Sequence, residues 1–88
     1  MQLTKLIGSE ITTPTSAGAA TSLVSATCVR LCNNTTNDVL VSITTAVGAA
    51  NTISFTMLKQ TVEFLQKAPT DVIFTDSAIK ASKVGFTN

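Results

Sequence analysis

The chain has 88 residues, 44% of them hydrophobic and only 12% charged, with a formal net charge of +1. That length makes one domain able to bury about 60 to 65% of its unfolded surface. The near-neutral balance offers no clustered Lys and Arg for nucleic acid, and the lack of His, Trp and Tyr removes the commonest catalytic base and most stacking platforms. Charge this far below the usual quarter of residues leaves Ser, Thr, Ala and Asn on the surface, a composition suited to contact with other protein.

No stretch reaches the roughly 18 consecutive apolar residues of a transmembrane helix. The opening "MQLTKLIGSEITTP" has Glu10 and Pro14 interrupting any apolar run, so it does not read as a secretory signal. Neither a membrane nor a nucleic acid is expected as a partner. Residues 1 to 22 read as an N-terminal arm or weak edge strand that docks on the domain or on a neighbour, with a short strand at Gln2 to Ile7. "SAGAATSLVSA" has helix propensity apart from Gly18 and stands as an alternative helix. Residues 23 to 88 form the β-domain proper.

From Thr27 onward the hydrophobic period becomes two. "TCVRLCN" places Val29 and Leu31 on one face, and "DVLVSITTAV" places Val39, Val41 and Ile43 on one face; the polar "NNTTND" between them makes a hairpin. Cys28 and Cys32 on one strand lie about 13 Å apart, too far for a disulfide. "GAAN" at 48 to 51 marks the next turn, and "TISFTM" directs Ile53, Phe55 and Met57 inward. In "TVEFLQK" Val62 and Phe64 are assigned inward, with Glu63, Leu65 and Lys67 outward. "KAPTD" then turns the chain: Pro69 fits the second position of a β-turn from Ala68 to Asp71, with Lys67 and Asp71 as an exposed pair at its base. Val72, Phe74, Val84 and Phe86 complete the expected core, and "SAIKAS" is read as a loop or one helical turn.

These strands predict an all-β fold, a small antiparallel β-sandwich or barrel of about six strands with an extended N-terminal arm. Phe64→Ala or Phe74→Ala is expected to cost about 3 to 5 kcal/mol on this assignment. The five carboxylates, Glu10, Asp38, Glu63, Asp71 and Asp76, are scattered, and no base stands beside the many Ser and Thr hydroxyls. Neither "IGSE" nor "AVGAAN" has phosphate-loop spacing. The residues therefore point to no enzyme, no catalytic or metal-binding set and no cofactor. A binding or structural role is expected, with the outward apolar Leu40 and Leu65 as candidates for an interface.

The features "VRLCNNT" before a hairpin, an apolar strand leading into "QKAPTD", and the closing "SKVGFTN" cover residues 27 to 88. In these the chain resembles small all-β virion proteins of tailed bacteriophages. The resemblance implies a non-enzymatic structural protein of the virion, assembled in the host cytoplasm: a capsid decoration or cement protein bound to the major capsid protein or other virion subunits in many copies. The resemblance also admits a small neck or tail subunit. A carbohydrate-binding β-sandwich remains a further reading from the residues, and self-association into a homo-oligomer is expected.

Overall fold

The computed structural model describes residues 3–47 and 52–87. Its strands are β1 (Leu3–Leu6), β2 (Ile11–Thr12), β3 (Cys28–Asn33), β4 (Val39–Thr44), β5 (Thr52–Met57), β6 (Thr61–Gln66), β7 (Val72–Thr75) and β8 (Lys80–Thr87), with one 3-10 turn at Ala17–Ala19 and no α-helix among the described residues. All pairings between strands are antiparallel, as expected where short polar turns join strands with one wet face. They form two sheets. One runs β1-β8-β3-β6 with β2 in line with β1 against β8, and the other runs β5-β4-β7. The turn expected at Gly48 to Asn51 lies outside the described residues.

Between the sheets lies a core of Leu23, Ala26, Val29, Leu31, Val39, Val41, Met57, Ile73, Ile79 and Ala81, with Ile43, Phe55 and Leu65 packed against it. Each fully buried large side chain contributes about 1.5 to 3 kcal/mol. Val29, Leu31, Val39, Val41, Met57 and Val84 are buried as their alternation predicts. Strand β6 is rotated by one residue from the expected faces, and in β7 Ile73 takes the core face although Val72 is buried as expected. Leu65 stands opposite Val29, and Ile73 opposite Ile43, so Leu65 and Ile73 face the core while Val62, Phe64 and Phe74 face outward. Both strands are apolar on both faces, so their alternation carries no parity, and ladder register decides it. The side chain of Phe86 lies outside the described set.

The N-terminal segment is bonded to its own domain. After β1 and β2 run along β8, Thr13 N–H donates to the Ile79 carbonyl at 2.8 Å and the Pro14 carbonyl accepts from Thr75 N–H at 3.0 Å. Thr21 then pairs with Ile73, so the segment crosses from the first sheet to the second and closes that flank. A buried hydroxyl pair locks the crossing, Thr13 Oγ1 to Thr75 Oγ1 at 2.7 Å. The helix considered as an alternative at "SAGAATSLVSA" does not form; the segment holds the 3-10 turn and then a left-handed turn, where Leu23, Val24 and Ser25 have φ of 51°, 56° and 56°. Such geometry costs side-chain-bearing residues about 1 to 2 kcal/mol each. Here it is held by Ala26 N–H on the Ser22 carbonyl, Leu23 N–H on Thr21 Oγ1 and the Lys83 ammonium on the Val24 carbonyl.

"SAIKAS" also departs from expectation. Ala81 and Ser82 lie within β8, and Ile79 is fully buried, its N–H donating to Thr13 Oγ1 at 3.0 Å. The six-residue β3 on one side and the two-residue β2 on the other recruit these residues, which their own mixed composition does not reveal.

Candidate functional site

The "KAPTD" corner is a β-turn as the proline predicts, closed by Asp71 N–H on the Ala68 carbonyl at 3.0 Å and tightened by Ala68 N–H on Asp71 Oδ2 at 3.2 Å. Lys67 is the correction. Expected in water, it is only 7% exposed, and its ammonium donates to the Ala26 carbonyl at 2.7 Å and the Ala68 carbonyl at 3.3 Å. It shares the core side of the chain with Leu65 and caps one end of the core, using the long apolar stem to cover it.

Burial pushes the Lys67 ammonium below the usual lysine range; the Asp71 carboxylate opposes this and Lys83 adds to it. A folded-state value below the unfolded 10.5 means the unfolded chain binds more protons between the two. Stability from this group therefore rises with pH across that window. Urea unfolding at pH 7 and pH 10 is expected to show the native chain gaining stability relative to Lys67→Met at the higher pH. An unchanged or falling difference would show that the lysine is not penalised by burial.

Three of the other four carboxylates also serve backbone or ion-pair roles. Asp38 accepts Lys59 N–H at 3.0 Å, Asp76 accepts Leu40 N–H at 2.9 Å, and Glu10 stands 3.8 Å from Arg30. An ion pair this exposed is worth about 0 to 1 kcal/mol. Among the described residues no three His, Cys, Asp or Glu side chains group as metal ligands, and no helix is long and apolar enough to cross a membrane. Cys28 and Cys32 are free thiols, half-buried on the outer face of β3 on either side of Arg30.

The two predicted interface residues are not brought together. Leu40 is 41% exposed on the outer face of the second sheet, beside Thr56 of β5, whereas Leu65 packs against the core from the first sheet. Assigned outward from the sequence, Leu65 is a core residue of an edge strand. Its place on the surface is taken by Val62 and Phe64, the latter 47% exposed and in register with Arg30. Sequence alternation had put all four phenylalanines inside; the apolar doublet of Phe64 and Leu65 was the sign that one must face water.

The described surface carries shallow depressions and one open flank. A cleft of about 440 Å³ runs over the first sheet between Leu6, Glu10, Arg30 and Ser82, and a second depression of about 350 Å³ is formed by Thr27, Cys28, Phe64 and Gln66. The open flank is the one opposite the N-terminal crossing. There β5 ends one sheet and β6 the other, joined by the short turn at residues 58–60, with Ile53, Leu58, Val62 and Phe64 in water. This flank has two strand edges without a ladder partner among the described residues. Chemically the surface can pair strands and bury apolar area; it presents no acid–base or nucleophilic pair among the described residues. No protein-family model, curated protein or solved structure matches this chain.

Proposed function

We propose that this protein is a non-enzymatic virion structural protein, a capsid decoration or cement subunit that binds the shell in many copies and stabilises it by burying surface between neighbours. The observation that carries this reading is the amount of large apolar side chain left in water on a surface with few charges. Leu6, Ile7, Val24, Val47, Ile53 and Leu58 are all more than half exposed, while charged residues are 12% of the chain. Scattered exposed apolar residues are ordinary in any monomer. Leu6 on the outermost strand of the first sheet and Ile53 and Leu58 on the open flank, with little charge to keep copies apart, fit a subunit whose working state is packed against other protein. The resemblance of residues 27 to 88 to small all-β virion proteins of tailed phages supports the same class.

The test is the copy number in purified virions by quantitative mass spectrometry, followed by particle binding of a surface variant. Hundreds of copies are expected for a shell decoration; a small ring multiple would move the protein to the neck or tail, and absence would remove the structural reading. Leu40→Lys is expected to fold normally and lose particle binding. Normal binding would take Leu40 out of the interface. Leu65→Asp is unsuitable for this purpose, since it would place a carboxylate against the core.

The exposed Phe64 beside Gln66 favours a second reading, a carbohydrate-binding module, because sugars stack on aromatic faces held at a surface. Saturable glycan binding lost in Phe64→Ala would support it.

A further inference from the structure

The two edge strands of the open flank differ in how they are protected. On β6, Glu63 lies on the core-facing side opposite Leu31 and stays in water. A charge pointing inward at an edge is a recognised guard against strand addition. Strand β5, "TISFTM", has no such guard. It contains no charge, proline or glycine, it runs unbroken in register with β4 from Thr52 to Met57, and its other edge has no ladder partner among the described residues. Ile53 lies on the same face as the core-facing Phe55 and Met57 yet is 79% exposed.

We infer that β5 is a homotypic pairing edge: two copies of this chain join antiparallel through β5, merging their three-stranded sheets into one continuous six-stranded sheet. The sequence of β5 is self-complementary for this. With Ser54 opposite Ser54 of a second copy, Ile53 falls opposite Phe55 and Thr52 opposite Thr56, so apolar residues meet on the core side and hydroxyls on the outer side. Shifting by one step to put Phe55 opposite Phe55 preserves the same segregation, with Ile53 against Met57. The pairing brings no like charges together. On β6 the corresponding two-fold pairing centred on Glu63 would set two carboxylates face to face, so β5 is the edge selected. This inference stands independently of the virion assignment, since it needs only the free edge and its alternation.

Sedimentation equilibrium of the purified chain tests it. The native protein is expected to form a concentration-dependent dimer, and Ile53→Lys to remain monomeric with unchanged thermal unfolding, because Ile53 makes little contact within its own chain. Hydrogen exchange on the native protein gives a readout that needs no variant: amides in residues 52 to 57 should slow as concentration rises while those of β6 do not. A native chain that stays monomeric at millimolar concentration, or a dimer unaffected by Ile53→Lys, would overturn the inference. The first result would leave the edge to a strand from a different protein.

Discussion

Leu31→Ala is expected to destabilise the domain by about 4 kcal/mol, near the upper part of the range for a buried leucine truncated in a tight core. Leu31 is fully buried at the centre of β3, flanked on its two sides by Ala81 of β8 and Glu63 of β6. Neither neighbour can fill the space it leaves: Ala81 is already small and Glu63 is held at the open flank. An 88-residue domain has roughly 4 to 13 kcal/mol of stability in total, so the variant should approach unfolding at room temperature. Urea denaturation measures it, with Phe64→Ala as the internal comparison. Phe64, half exposed on the outer face, should lose no more than about 1 kcal/mol. Equal losses for the two would mean that β6 presents the face its alternation predicts and that the observed register is wrong.

Asn33→Ala should cost about 3 kcal/mol for a different reason. Asn33 is almost wholly buried at the end of β3, and its amide nitrogen donates to the carbonyls of Asn37 at 3.0 Å, Met57 at 3.3 Å and Leu58 at 3.3 Å. Its oxygen accepts from Thr35 N–H at 3.1 Å and Thr35 Oγ1 at 2.6 Å. One side chain thus ties the β3–β4 loop to the turn where the chain passes from β5 to β6. Removing it leaves buried carbonyls without donors, at about 1 to 3 kcal/mol for each that water cannot reach. Asn33→Asp separates the two halves of the network. It retains the acceptors for Thr35 but turns an oxygen toward three carbonyls, so it should be at least as damaging as alanine. If Asn33→Asp were nearly neutral in denaturant unfolding, the contacts to Met57 and Leu58 would contribute little. Residual solvent access at that turn would then be the explanation.

These two positions also mark how far the sequence could be read. Leu31 was legible because β3 alternates cleanly, apolar against polar, and one face of such a strand must be buried. Asn33 was not, since nothing in "CNNTTND" distinguishes an asparagine that organises two turns from one that merely decorates a loop. Both strands that departed from their expected faces are apolar on both sides. In β6 the choice fell to Leu65 rather than Phe64 because Leu65 and Lys67 share a face, and Lys67 finds the Ala26 carbonyl at 2.7 Å on that side. A lysine is the last residue alternation would place inside, and only a carbonyl supplied from a loop far away in the chain makes its burial tolerable. Composition pointed to a surface of Ser, Thr, Ala and Asn, and of the large apolar residues in water the sequence marked only Leu40.

By itself the sequence determined an all-β chain: period-two alternation, polar turns, and a proline-directed corner at "KAPTD" are local properties, satisfied within a few residues whatever the rest of the chain does. Only the tertiary structure decided which strands became edges, which face of the two-sided strands turned inward, and where residues 3 to 22 crossed between sheets. Those outcomes depend on backbone groups far apart in sequence finding one another across the two sheets. The energy that selects among them, in shared hydrogen bonds and contiguous buried area, exists only once both partners are in place.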